Sequence, residues 1–398
     1  MRGFLCLAVV DGHAYGHVTG QTRAAVASFV RFGTASFEFL ISGTAPAAVW
    51  GFFILSGYLI GKGFLSGRYT LHREGIVAFY RNRLLRILPL YYVVLAACCF
   101  FGSTGVYAAT HAEHHTVTAL ILFFANLIGP ITIASAGVFW SLSTEMQFYT
   151  FAPLLARAIR IIDRIDQVAA VLMFALLISV AWRFVAWQHD ADNTNWIYDV
   201  FFPIWSNAEF FIVGMLCNGI VRHFKQWERN TRRLKIVGYI CFAIFYVASS
   251  YLTQVFWPKG AALRGIFMVF SPAIAMLSIG AAIVAFELSR VSKTPKVTSI
   301  SSHFQAISKN PLRVFELIGT LTYGIYLWHM LFLDKITPTI MGRFDGHASG
   351  FVLVLVSVLA VSTMIALITY QFVEYPFEAM KTFSAADKVS ILKEEGAA

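Results

Sequence analysis

Charged side chains are scarce in this chain. Asp, Glu, Lys and Arg make up 13% of the 398 residues, where a soluble domain carries about 25%. With 58% hydrophobic residues, the shortage excludes an ordinary water-soluble fold. Cysteine is also sparse. Cys6, Cys98, Cys99, Cys217 and Cys241 all lie in apolar stretches, with neither the pairing of a secreted disulfide framework nor metal-ligand spacing, so they read as small buried hydrophobes. Acidic residues are fewer than basic ones, 21 against 31, for a formal charge of +10. The basic residues gather in a few loops between apolar runs. Such a surplus reports orientation in a bilayer, and no nucleic-acid partner is needed to explain it. An internal repeat is absent too.

What the chain has in abundance is apolar segments long enough to span, about 17–25 residues each. They run over 3–19, 46–65, 84–103, 117–156, 168–187, 200–221, 236–253, 264–288, 315–336 and 350–374. The expected fold is an all-α polytopic membrane protein with about ten transmembrane helices. Residues 1–380 form its transmembrane domain and 381–398 a short cytoplasmic tail. The first span holds Asp11, His13 and His17, which suits a functional helix better than a cleavable signal.

Basic clusters place loops on the cytoplasmic side. Lys62 to Arg86, Arg157 to Arg164, Arg222 to Lys235 and Arg290 to Arg313 each supply one. For these to share a side, with both termini cytoplasmic, 117–156 must cross only once. Gly129, Pro130 and Gly137 are helix breakers, so a broken or re-entrant segment is expected around 137–145. Irregular backbone at membrane depth survives only inside protein or beside a wet cavity. Glu145, a carboxylate within this apolar run, points to the same cavity.

Several constellations can carry chemistry. Arg2 and His13 are eleven residues apart, about 16 Å on a helix, and a histidine at that depth can serve as a general base or as a structural hydrogen-bonding group. Arg83 and Arg86 share a helix face and suit phosphate groups, either of a ligand or of lipid headgroups. Ser56-Gly57 reads as a close-packing point. Tyr326 and His329, in Gly324-Ile325-Tyr326-Leu327-Trp328-His329, can line a site, and Glu374 can pair with a basic loop. His111, Glu113, His114 and His115 cluster without fixed ligand geometry, and no metal site is expected.

Taken together, these stretches resemble the membrane-bound acyltransferase 3 family of bacterial O-acyltransferases, which act on lipopolysaccharide, exopolysaccharide, Nod factors and macrolides. The matching pieces are Arg2-x10-His13, FFILSGYLI at 52–60, RNRLLRILPLYY at 81–92, WSLSTEMQFY at 140–149, LTYGIYLWH at 321–329 and FVEYPF at 372–377. Each is weak alone; the ordered set is specific. The resemblance implies a catalytic His13, acting as general base or first taking the acyl group itself, and a catalytic Glu145 that either orients His13 or holds acceptor hydroxyls. It places Arg83 and Arg86 on the acyl-donor side, and Arg2, Trp140, Ser141, Tyr326 and His329 around the substrates. No permanently bound cofactor is implied; acyl-CoA is the donor substrate. Donors from Trp140–Ser143 would stabilise the developing oxyanion.

The implied function is transfer of an acyl group, most commonly acetyl, to a hydroxyl of an envelope or exported polysaccharide or glycolipid. The implied location is the bacterial inner membrane, with the lipid bilayer and a carbohydrate acceptor as partners. A small-molecule acceptor such as a macrolide is the nearest alternative, and a multi-span transporter is an alternative of a different class. The chain departs from the family pattern in places. It opens Met1-Arg2-Gly3, where members usually carry further residues, and it has Thr144 for a common Val and Met146 for a common Glu.

Overall fold

The computed structural model describes residues 1–21, 31–32, 35–36, 44–102, 114–129, 131, 133–162, 164–190, 197–225, 231–256, 261–290, 300–344 and 348–381. Apart from a two-residue ribbon, Arg31–Phe32 against Ala35–Ser36, the described chain is helices and their connections. The helices are α1 (Arg2–Gln21), α2 (Ala45–Leu65), α3 (Arg73–Phe101), α4 (His114–Ile121), α5 (Phe139–Arg160), α6 (Ile165–Asp190) and α7 (Ala208–Phe224). They continue with α8 (Thr231–Phe256), α9 (Ala261–Leu288), α10 (Ile300–Lys309), α11 (Val314–Phe344) and α12 (Ala348–Thr369). A π-turn, Tyr370–Glu374, then leads into α13 (Tyr375–Ala379). The expected tail after Lys381 lies outside the described residues, as do His111 and Glu113 of the histidine cluster.

Six helices among the described residues are long and apolar enough to cross a membrane: α2, α3, α6, α8, α9 and the α12–α13 unit. The expectation of about ten spans is therefore met only in part by length and composition. The physical reason is polarity. Helix α7 is only 17 residues long. The other three carry polar groups in mid-helix: Asp11, His13 and His17 on α1, Ser141, Ser143, Thr144 and Glu145 on α5, and His329, Asp334 and Lys335 on α11. A helix that lines a polar interior cannot also be uniformly apolar. Helices α6, α8 and α12 turn large apolar residues such as Phe174, Tyr239 and Val356 outward.

The break falls earlier than expected. Residues 139–145 are helical, the first turns of α5, and the non-α backbone lies among the described residues 122–129, 131 and 133–138, with a 3-10 turn over Ala134–Ala136. Polar residues are tolerated in α5 because Ser143 and Thr144 donate to the carbonyls of Phe139 and Trp140, at 3.2 and 3.1 Å. The irregular segment contains Phe123 at φ +61°, a left-handed conformation uncommon outside glycine. Carbonyls at the end of α4 and at Phe123 are satisfied from neighbouring helices. The Tyr91 hydroxyl donates to Leu120 O at 2.6 Å and Tyr92 to Ile121 O at 3.0 Å. Gln147 donates to Phe123 O at 3.0 Å and is also bonded to Asn126. Protein side chains thus replace the absent water.

Two packings place the site. Helices α1 and α11 run parallel with a constant register: Gly3 lies against Phe315 and Gly319, Cys6 against Thr322, His13 against His329, His17 against Asp334. Helices α3 and α5 run antiparallel, with Tyr91 on Phe139, Arg83 on Tyr149, and Tyr80 donating to Thr150 O. The small residues of α2 do act as packing points. A Cβ at Gly57 would lie 2.1 Å from Phe211 O, and one at Gly214 of α7 would lie 1.9 Å from Ile54 O. Gly214→Ala is therefore expected to lower the detergent melting temperature by several degrees, since overpacking costs about 1–3 kcal/mol. Thermal unfolding of the purified variant checks this; an unchanged midpoint would show that α2 and α7 separate freely.

Candidate active site

Five helices enclose a cavity of about 150 Å³. Helices α3, α5 and α11 contribute polar residues at helical spacing, so each of these three presents one polar stripe inward. Helix α5 gives Ser141, Glu145 and Tyr149; α11 gives Thr322, Tyr323 and Tyr326; α3 gives Arg83 and Arg86; α2 gives Ser56; and α1 gives Arg2. The arginines are gathered at one end. At the other end the Ser141 and Tyr326 hydroxyls are bonded to each other at 2.6 Å and both lie against Val138 O.

Beyond Tyr326 stand two histidines. His13 Nδ1 and His329 Nε2 are 2.9 Å apart, with nearly parallel rings. His329 is fully buried, and its Nδ1 lies 2.6 Å from the Tyr326 carbonyl oxygen. A carbonyl only accepts, so His329 Nδ1 carries the proton and Nε2 of the neutral ring is the acceptor. His13 Nδ1–H is then the donor, and His13 Nε2 is left with its lone pair. The geometry fixes a tautomer suited to taking a proton.

One turn further along α1, His17 donates from Nδ1 to His13 O at 3.1 Å, and its Nε2 lies 3.4 Å from Asp334 Oδ1. The other oxygen of Asp334 accepts from Ser135 at 2.5 Å. This second link ties α1, α11 and the irregular segment together next to the first. Nothing in the local sequence of Ser135, Ser56 or Tyr323 marks a site role. A charged residue inside the apolar run 315–336 was the available signal for Asp334.

Glu145 does not sit at His13. Its Oε1 accepts from Ser56 at 2.6 Å and Tyr149 at 2.5 Å, and the expected partnership with His13 is taken by His329. The reason is depth: Glu145 is one turn from Ser141 towards the arginines, while His13 lies beyond the Ser141–Tyr326 end. Trp140 also differs from expectation. It is buried against Phe202, stacked at 4.3 Å, with Phe201 and Phe53 beside it, and it does not line the cavity. Thr144 uses its extra hydroxyl to hold Phe202 O at 3.1 Å, which anchors that aromatic wall.

The two arginines of α3 are not equivalent. Arg86 is ion-paired with Glu378 and lies 3.8 Å from Glu374, the basic partner expected for Glu374. Lys381 closes the group 2.9 Å from Glu378; burial, then the nearby Arg86 and Arg83, lower its pKa, with Glu378 opposing. Arg83 has no carboxylate partner among the described residues. Its guanidinium lies over Tyr149 and Phe79, and its buried Nε has no acceptor. Arg2 lines the same end and is exposed. The cavity therefore keeps two uncommitted guanidinium groups. Among the described residues, no three His, Cys, Asp or Glu side chains converge as a metal site would require.

A family model described as an acyltransferase domain, Acyl_transf_3, matches residues 1–371. The chain belongs to the acyltransferase 3 family. The chain is similar to the O-acetyltransferase OatA of Staphylococcus aureus strain NCTC 8325 / PS 47, 22% identical over 357 residues, which is 85% of this chain and 53% of that protein. A putative O-acetyltransferase of S. aureus strain MSSA476 is 22% identical over 340 residues, 82% of this chain and 51% of its own length. The chain thus spans about half the length of the curated relatives it matches. No solved structure matches it. Family motifs that lie hundreds of residues apart in sequence meet here around one cavity and one histidine pair.

Proposed function

We propose that this acyltransferase 3 protein is a membrane-bound O-acyltransferase, taking an acyl group, acetyl in the first instance, from acyl-CoA to a hydroxyl of an envelope or exported polysaccharide or glycolipid. The observation that carries the reading is the His13–His329 pair, its reactive nitrogen fixed, one turn of α11 beyond the Tyr326 end of a cavity whose near end holds Arg2 and Arg83. The relatives' names, O-acetyltransferases, agree with it. The basic loops at the arginine end fit a cytoplasmic face. We assign the chain to a bacterial inner membrane, in ten crossings, with both termini cytoplasmic and α1, α5, α7 and α11 as the polar crossings.

In this reading Arg2 and Arg83 hold donor phosphates, and the acyl thioester reaches towards Ser141 and Tyr326. His13 Nε2 takes the proton of the acceptor hydroxyl as that oxygen attacks the thioester carbonyl. The Ser141 and Tyr326 hydroxyls supply hydrogen bonds to the developing oxyanion. Collapse breaks the C–S bond, and the proton on His13 goes to the leaving thiolate, so ester and free thiol are the products.

The arginine geometry gives a direct test with purified protein. Arg83→Ala is expected to raise the KM for acetyl-CoA about tenfold or more, the weight of one charge-assisted hydrogen-bonded contact, with kcat less affected. Arg86→Ala leaves buried Glu374 without its cation and Glu378 with Lys381 alone, so its main expected effect is lower thermal stability. Equal KM values for wild type and Arg83→Ala would remove the donor-phosphate role. Glu145→Gln keeps a group that can accept from Ser56 and Tyr149. The expected rate loss is therefore modest, about tenfold or less, because only the charge of the hydrogen-bonded acceptor is lost. A loss comparable to that of a catalytic base would return Glu145 to the chemistry.

A further inference from the structure

Helices α3 and α5 both continue past the cavity, and where they end there is a second cleft, of about 480 Å³. Its lining includes Phe64, Tyr69, Thr70, His72, Arg157 and Arg160. Phe64 and Tyr69 are almost fully buried and form an aromatic floor, Phe64 on Tyr69 and both on Phe79. The loop over this floor is built tightly. Tyr69 N donates to Gly63 O at 3.1 Å, Asn82 donates to the Tyr69 hydroxyl at 3.3 Å, and Gly67 takes φ +81°. Arg157 and Arg160 are exposed on its rim. Among the described residues neither has a carboxylate partner, whereas the neighbouring Arg164 is bound to Asp166 at 2.8 Å.

The cleft and the cavity are joined by named contacts. Phe79 packs on Tyr69 in the cleft floor and lies under Arg83 of the cavity. Tyr149 lines the cavity, and Arg157 is eight residues further along the same helix, about 12 Å. His13 lies about 16 Å from Arg2 along α1 on the other side. The reactive nitrogen, the first cationic site and the second cationic site are thus laid out in sequence. An aromatic floor flanked by two uncommitted arginines matches a nucleobase with an attached phosphate.

We propose that this second cleft binds the adenosine 3′-phosphate end of the acyl donor. The inference rests on the acyl-CoA reading above, which puts the donor's pyrophosphate at Arg2 and Arg83 and its flexible arm in the cavity. Arg157 and Arg160 then hold the 3′-phosphate, and Phe64 and Tyr69 floor the adenine. The phosphate of an anionic lipid headgroup offers the same chemistry, so the test must separate the two.

The test compares full-length wild type with the Arg157→Gln/Arg160→Gln double variant in nanodiscs. Acetyl-CoA is set against acetyl-dephospho-CoA, which lacks the 3′-phosphate. Wild type is expected to show a KM about tenfold or more lower for acetyl-CoA. The double variant should raise that KM to the dephospho value and leave the dephospho KM and both kcat values in place. A KM ratio unchanged by the double substitution overturns the assignment. So does a variant effect that appears only in nanodiscs containing anionic lipid and is equal for both donors, which is the signature of a headgroup site. Direct binding of adenosine 3′,5′-bisphosphate separates this inference from the parent reading. Bisphosphate binding lost in the double variant supports the cleft even without turnover. Turnover of acetyl-CoA with no bisphosphate binding overturns the cleft and leaves the acyltransferase reading intact.

Discussion

His13→Ala lowers acyl transfer by about 10²–10⁴, the usual weight of a positioned acid–base group. The expectation follows from the bond pattern. His329 Nδ1 is committed to the Tyr326 carbonyl, His13 Nδ1 is committed to His329, and only His13 Nε2 is left to accept a proton. Labelled acetyl incorporation from acetyl-CoA, at equal protein level, measures the loss. The same substitution should leave the KM for acetyl-CoA near its wild-type value, because the arginine end lies about 16 Å away along α1. Near-normal turnover in a well-folded His13→Ala protein would take this residue out of the reaction.

His329→Ala is expected to cost a comparable amount, about 10²-fold or more, although this ring is fully buried. It acts through His13. Without it, His13 Nδ1–H loses its acceptor, and both the tautomer and the ring orientation are released; in a serine protease, loss of the tautomer-fixing group alone costs about 10⁴. His329→Gln separates positioning from mere packing. A glutamine carbonyl can accept from His13 Nδ1–H, so it should recover part of the rate that alanine loses. The double variant His13→Ala/His329→Ala should be little worse than either single one, as for residues that act as a unit. Additive losses would show that the two histidines serve separate steps. The His17–Asp334–Ser135 link one turn away holds the same two helices together, so damage there is expected to act through alignment of this pair.

Much of the architecture was legible in the sequence because it follows from solvent chemistry. Apolar runs of spanning length anticipated where helices would form, and α2, α3, α6, α8 and α9 lie over those runs, although α3 starts earlier, at Arg73, and takes in the basic residues up to Arg86 that read as a loop. The six ordered motifs led to the family. Other features depend on tertiary register, which no local pattern encodes. The pairing of His13 with His329 needs α1 and α11 to run parallel at a fixed offset, set by the close approach of Gly3 to Gly319 and Phe315. The family pattern offers Glu145 either as a partner for His13 or as a holder of acceptor hydroxyls, and one helical turn of depth places it on Ser56 and Tyr149 and away from His13. Gly129 and Gly137 flag an interruption, but no local pattern marks where it ends, since α5 starts after Val138 without a side-chain cap. Arg83 and Arg86 look alike in sequence; only the fold brings Glu374 and Glu378 onto one of them.

The central claim is that the arginine-lined cavity and the histidine pair form one catalytic path for a thioester donor. Its most direct test is release of free CoA by the purified protein reconstituted in lipid with acetyl-CoA and an acceptor glycan. The expected result is CoA release matched one-to-one by new acetyl ester, and abolished in His13→Ala. A protein that carries acetyl-CoA or glycan across the bilayer without freeing any thiol, or one whose CoA release is untouched by His13→Ala, would contradict it.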